Sequence, residues 1–172
     1  MIRKARENDL KKVEAGYTNL LTYEKEHINN SNWVLGLYPT IKTAEKAFSE
    51  DTLYVFEEDG IVLGSMILNQ IQPEDYKYIK WEYEADEKEV LVVHTLCIIP
   101  SSARKGCGRK MMDFALNKGK EIGCIAVRLE TYAGNEPAKA LYKSMGFRFA
   151  GEGSVMLAGV IPEEQVFFEK KL

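Results

Sequence analysis

Nowhere in the 172-residue sequence do about 18 apolar residues run together, so no membrane-spanning helix is expected. The first stretch, MIRKARENDLKK, lacks the apolar centre of a secretory leader, and the expectation is a cytoplasmic chain with no membrane partner. Cysteine is scarce. Cys97, Cys107 and Cys124 are odd in number and follow no metal-ligand spacing, which argues against a disulfide framework and a metal site and for free thiols in a reducing compartment. Histidine is scarcer, with only His27 and His94. A large excess of one charge is also missing: a formal net charge of −3 argues against a nucleic-acid binder that works by overall positive potential. Repeats, linkers and low-complexity tracts are absent as well. The length suits a single domain, 1–172, able to bury its own core.

What is present alternates between helical and strand-like patterns. Asn8 or Asp9 can cap a first helix with Leu10, Val13, Tyr17, Leu20 and Leu21 at helical spacing. Thr40 can cap a second, with Ile41, Ala44 and Phe48 on one face. The β-rich runs 53–56 and 61–68 flank Asp59-Gly60, a hairpin signal. Segment 70–89, QIQPEDYKYIKWEYEADEKE, mixes aromatic residues with seven carboxylates and three lysines, and reads as an extended hairpin or a loop over a site. VLVVHTLCIIP, 90–100, is apolar at both parities, as in a strand covered on both faces, and Pro100 ends it. Met112, Ala115, Leu116 and Gly119 define a third helix, with Ile122 continuing its face. A strand over 125–131 follows, which makes a right-handed βαβ unit with a parallel strand pair. Asn135 can cap a fourth helix striped by Ala138, Leu141, Tyr142 and Met145 and stopped by Gly146. Strands over 147–160 and 165–170 complete a mixed sheet.

The stretch SSARKGCGRKMM, 101–112, places glycines and four basic residues where the third helix starts. Unpaired amides and the helix dipole favour an anion there, glycine lets it approach the backbone, and several positive side chains suit a polyphosphate; a purely structural turn is the alternative. A P-loop would require four residues between its glycines and a Gly-Lys-Ser/Thr ending, and a dinucleotide fingerprint would require a third small residue where Met111 stands. Both patterns fail.

LCIIPSSARKGCGRKMMDFAL followed by NEPAKALYKSMGF resembles the coenzyme A core of the GNAT superfamily of acyl-CoA-dependent N-acyltransferases. The element order over the whole chain is similar to that family's, with the specific part at about 89–150. Gly106 and Gly108 match the family's glycines, but Ala103 stands where the family has Gln or Arg, with Arg104 one place later. Asn135, Ala138, Tyr142, Gly146 and Phe147 match a second, independent motif. The resemblance implies an α/β (mixed α+β) fold with a mostly antiparallel six- to seven-stranded sheet, a central parallel βαβ unit and helices on both faces.

It also implies acetyl-CoA as cofactor and N-acetyl transfer to a primary amine of a small molecule or an exposed amino group, by direct attack in a ternary complex. A non-catalytic coenzyme A-binding module and a protein lysine or N-terminal acetyltransferase are the alternatives, and a homodimer is compatible with either. The cofactor would be held by Leu96, Cys97 and Ile98, by Arg104, Lys105, Gly106, Cys107, Gly108, Arg109 and Lys110, and by Asn135, Ala138 and Tyr142. Backbone groups near Leu96 to Ile98 would hold the pantetheine like an added strand and supply an oxyanion donor. Tyr142 would protonate the leaving sulfur, with an ordinary stripe residue as the alternative. His94 is the candidate base, against a core histidine; Glu89 or water are other bases, and His27 is a surface residue. An acyl-cysteine on Cys97 or Cys107 lacks a second histidine to support it, so Cys107 reads as a small turn residue. The acceptor pocket would draw on Trp33, Leu37, Tyr38 and Pro39, and on Tyr76, Trp81 and Glu82; an acidic solvated hairpin that packs its aromatics on the sheet is the alternative for the last three.

Overall fold

The computed structural model describes every residue, Met1–Leu172. Its elements run β1 (Ile2–Lys4), α1 (Leu10–Glu26), α2 (Ile41–Ser49), β2 (Leu53–Glu58), β3 (Ile61–Asn69), β4 (Val90–Ile98), α3 (Cys107–Glu121), β5 (Ala126–Tyr132), α4 (Glu136–Ser144), β6 (Arg148–Leu157) and β7 (Ile161–Lys171). The strands take the order β1-β2-β3-β4-β5-β7-β6, and β4 with β5 is the one parallel pair. The mixed α/β, mostly antiparallel sheet is the one the resemblance implies. The three-residue β1, too short to carry a periodicity, is the strand not read from sequence; it pairs Ile2–Lys4 with Phe56–Tyr54.

The chain forms two compact units, one made of Met1–Asn29, Trp33–Leu68 and His94–Met112, the other of Asn30–Asn32, Asn69–Val93 and Asp113–Leu172. In the first, Val13 and Tyr17 of α1, Ala44 and Ala47 of α2, Leu53 and Val55 of β2, Val62 of β3 and Cys97 of β4 make one buried cluster. Asp9 stands before α1, but its carboxylate accepts from the Arg6 amide (2.8 Å) and from Arg3 Nη1 (2.6 Å) instead of from the helix. Asp59 and Gly60, both at positive φ (50° and 79°), turn β2 into β3, which is the geometry a two-residue hairpin loop requires. Gly64 of β3 brings backbones close: a Cβ there would lie 2.7 Å from the Cys97 carbonyl oxygen of β4 and 3.0 Å from the Met111 sulfur of α3.

In the second unit the start of β4 pairs in parallel with β5, Val90–Val92 against Ala126–Arg128, and β5 continues along β7. Segment 70–89 is a loop with 3-10 turns at Glu74–Tyr78 and Glu87–Glu89, not a hairpin. Its aromatics are needed elsewhere: Tyr76 is buried with Val90, Val92 and Phe167, and Trp81 packs against them. Arg128, itself buried, fixes the loop by donating to Gln72 Oε1 (2.7 Å) and to the Tyr83 carbonyl (2.6 Å) while its guanidinium lies 4.4 Å from the Trp81 ring centre.

Two sequence expectations are corrected here. Helix α3 stops at Glu121, because Gly123 adopts φ 81° and turns the chain; Ile122 falls outside the helix and is 42% exposed instead of continuing its face. The last strand begins at Ile161, earlier than 165, because left-handed Ala158 and Gly159 (φ 51° and 73°) make a tight turn after β6.

Candidate functional site

In the first unit β4 ends at Ile98, and Pro100–Ser102 makes a 3-10 turn closed by the Ala103 amide donating to the Pro100 carbonyl (3.1 Å). The chain then turns left-handed twice, at Arg104 (φ 62°) and Gly106 (φ 78°). The Lys110 amide donates to the Gly106 carbonyl (3.0 Å) as the helix begins, so the amides of Cys107 and Gly108 come before it, among the donors a helix start cannot pair with itself. A Cβ built at Gly106 meets nothing within 4 Å, so the backbone here faces open space. Arg104, Lys105 and Arg109 are exposed around this turn. Lys110 leans away, 3.5 Å from Glu58 and over the Phe56 ring at 5.4 Å. Cys107, expected as a small residue of the turn, is the first residue of α3 and is buried, because the helix starts one residue earlier than the glycine pair suggests. Positive side chains and amides that precede the first helical bond, beside open space, are the chemistry that favours an anion.

Along β4, Thr95 breaks the regular strand with φ 50°. A β-branched residue at positive φ is rare and held only by its surroundings. Those surroundings include Tyr38, whose hydroxyl shares a hydrogen bond with Thr95 Oγ1 (2.7 Å). Tyr38 in turn meets Trp33 edge to face, with ring centres 5.9 Å apart, and the Val34 amide donates to its carbonyl (3.1 Å). Trp33 and Tyr38 are thus together, and Tyr38 is tied to the strand that carries His94, Leu96 and Ile98, all partly exposed, in alternation with buried Thr95 and Cys97. Burial, reinforced by Glu24, pushes the Cys97 thiol up to about 12, so a thiolate nucleophile is not available there at neutral pH.

In the second unit Tyr142 of α4 is buried between the Phe147 and Phe168 rings, at 6.0 and 5.8 Å between centres. Burial, and secondarily the charge of Glu130, hold its phenol well above the usual tyrosine value. Asn135 caps α4, its Oδ1 accepting from the Ala138 amide (3.2 Å), so this part of the second motif has a structural purpose of its own. Trp81 and Glu82 have partners: Trp81 meets Tyr76 at a tilt and Phe167 edge to face with the Arg128 guanidinium over its ring, and Glu82 pairs with Arg148 at 2.9 Å. Glu89 accepts from the Asp86 amide (2.9 Å) in its 3-10 turn, and exposed His27 stacks on Tyr23. Glu130 and Glu163 do not stand out in the sequence. Glu130 accepts from the Tyr76 hydroxyl 54 residues away, and Glu163 binds Asn32 across 131 residues, separations no local pattern can reveal.

A sequence profile of the acetyltransferase (GNAT) family matches residues 22–147. Among solved structures, an acetyltransferase of the GNAT family from Streptococcus agalactiae 2603 superposes with a TM-score of 0.82 at 17% identity, over 100% of this chain and 95% of that one. An N-acetyltransferase from Staphylococcus aureus Mu50 gives a TM-score of 0.72 at 20% identity, over 99% and 97%. A Salmonella typhimurium protein solved with its cofactor acetyl-CoA gives 0.68 at 15%, over 100% and 93%. No match was found among curated proteins.

Proposed function

Because the chain belongs to the acetyltransferase (GNAT) family, we propose that it transfers an acetyl group from acetyl-CoA to the primary amine of a small molecule by direct attack in a ternary complex. The observation that carries this reading is the start of α3, where Gly106 faces open space, the Cys107 and Gly108 amides precede the first helical bond, and Arg104, Lys105 and Arg109 stand exposed. That arrangement fits the pyrophosphate of coenzyme A, and the Salmonella relative solved with acetyl-CoA supports the assignment. With Ala103 in place of a longer polar residue, the contact passes to Arg104, Lys105 or Arg109.

Bound acetyl-CoA supplies the activated thioester. Backbone groups of Leu96 to Ile98 bind the pantetheine arm, and an amide there donates to the carbonyl oxygen as negative charge develops. His94 takes the proton of the incoming amine, with Glu89 or water as other acceptors. Tyr142, kept protonated by burial, gives its proton to the departing sulfur. Asn135 and Ala138 set the start of the helix that bears it. Trp33 and Tyr38 form part of the acceptor wall. Three buried free cysteines support a reducing, cytoplasmic setting.

The reading is tested by following free-thiol release from acetyl-CoA across polyamines, amino acids, aryl amines and peptides, with coenzyme A affinity measured by calorimetry. Turnover with at least one small amine is expected, together with a loss of affinity of about tenfold or more in Gly108→Asp, which puts bulk and negative charge at the helix start. Binding without turnover on the whole panel would leave a coenzyme A-binding module instead.

A further inference from the structure

The second unit contains a cleft of about 460 Å³ whose lining includes Asn32, Tyr132, Ser154, Pro162, Glu163 and Glu164. Glu163 is its deepest charge, with only 8% of the residue exposed. Each carboxylate oxygen accepts one bond from a neutral amide: Oε2 from Asn32 Nδ2 at 2.9 Å, Oε1 from Gln165 Nε2 at 2.7 Å. No lysine, arginine or histidine pairs with it. A carboxylate has about four acceptor positions, so roughly two remain unused on Glu163. A buried negative charge held by neutral donors alone is costly, and a cation entering the cleft would offset that cost.

The surroundings sharpen the sign of the ligand. Glu164, exposed on the cleft wall, adds a second carboxylate, whose oxygen accepts from the Ser154 hydroxyl. Glu130 acts electrostatically on Glu163, and on the Tyr142 phenol as well. Nowhere in the structure do three His, Cys, Asp or Glu side chains gather in a way that holds a metal ion, and a carboxylate pair among neutral amides suits an ammonium better than a divalent cation, which takes about six or more oxygen ligands. The remaining fit is an organic ammonium. The nitrogen that attacks a thioester must be neutral, so the ammonium held at Glu163 is a second one.

We infer that the cleft around Glu163, Asn32 and Glu164 binds a cationic nitrogen other than the reacting one, so that the acceptor class is a diamine or a similarly dibasic small amine. The inference rests on the acetyl-transfer reading for its catalytic consequence, but its binding consequence stands alone.

The experiment titrates the full chain, without coenzyme A, with butane-1,4-diamine and with butylamine by calorimetry at neutral pH and low salt. The diamine is expected to bind at least tenfold tighter, and Glu163→Gln to remove that difference while leaving butylamine unchanged. Ser154→Lys, an exposed substitution that puts a competing ammonium into the cleft, gives the same expected tenfold loss if Glu163→Gln fails to fold. Equal affinity for the two amines, or a diamine affinity unmoved in both variants, would overturn the inference. Thiol-release assays separate the two readings: Glu163-dependent diamine binding without any turnover supports the cleft and removes the transferase, whereas equal kcat/KM for both amines, unaffected by Glu163→Gln, removes the cleft and keeps the transferase.

Discussion

Tyr142 illustrates how a side chain can be both packing and chemistry. Its ring lies against Phe147 and Phe168, and the same burial that secures it holds the proton on its oxygen far past neutral pH. Removing only the hydroxyl separates the two roles. Tyr142→Phe is expected to lower kcat by about 10- to 1,000-fold with coenzyme A affinity nearly unchanged; an unaltered kcat takes Tyr142 out of the mechanism. At this scale sequence and structure agree unevenly. Asn135, Ala138 and Tyr142 are legible because three and four residues along a helix fix their relation. Trp81 enters the acceptor pocket only through the resemblance, with packing on the sheet as the alternative, and in the structure it lies against Arg128, Tyr76 and Phe167. Glu163 is illegible because its partner Asn32 lies 131 residues away.

Among the elements, β4 and α3 depend on the absence of a side chain at Gly64. A methyl group there would sit 2.7 Å from a carbonyl oxygen of β4, 2.7 Å from Ile98 Cδ1 and 3.0 Å from the Met111 sulfur. The backbone oxygen cannot rotate out of the way as a side chain can. Gly64→Ala is therefore expected to cost about 1–3 kcal/mol in urea denaturation, a wild-type midpoint being the result that refutes the close packing. Helices α2 and α4 are readable from their caps and apolar stripes and α1 from its stripe, as are β2, β3 and the turn between them. The end of α3 is not, since an apolar Ile122 at the right spacing masks the stop that Gly123 imposes at the next residue. Loop 70–89 stayed ambiguous for a different reason: its course is set by Arg128, a residue of another strand.

For the molecule as a whole, buried acids that keep their protons define an alkaline limit. The Cys97 thiol, raised from about 9 to about 12 in the folded protein, stays protonated where the unfolded chain has ionised. Tyr17, Tyr76 and Tyr142 are raised above the usual 10 by burial and behave likewise at higher pH. The folded state then binds more protons than the unfolded state, so stability is complete below pH 9 and falls as pH rises, by about 1.4 kcal/mol per pH unit for each group ionised only in the unfolded chain. Urea midpoints are expected to be flat from pH 7 to 9 and to drop beyond, less steeply in Cys97→Ala, where the Cys124 thiol, also raised by burial, still contributes; a profile flat to pH 11 contradicts this. The strained Thr95 adds a constraint of another kind. Its hydrogen bond to Tyr38 joins positions 57 residues apart, so chain entropy opposes it until α2, β2 and β3 have formed between them. The left-handed turn of β4 at Thr95 is thus expected to form late in folding, and a β4 peptide cut free of the Tyr38 loop would lose the contacts that hold Thr95 at positive φ.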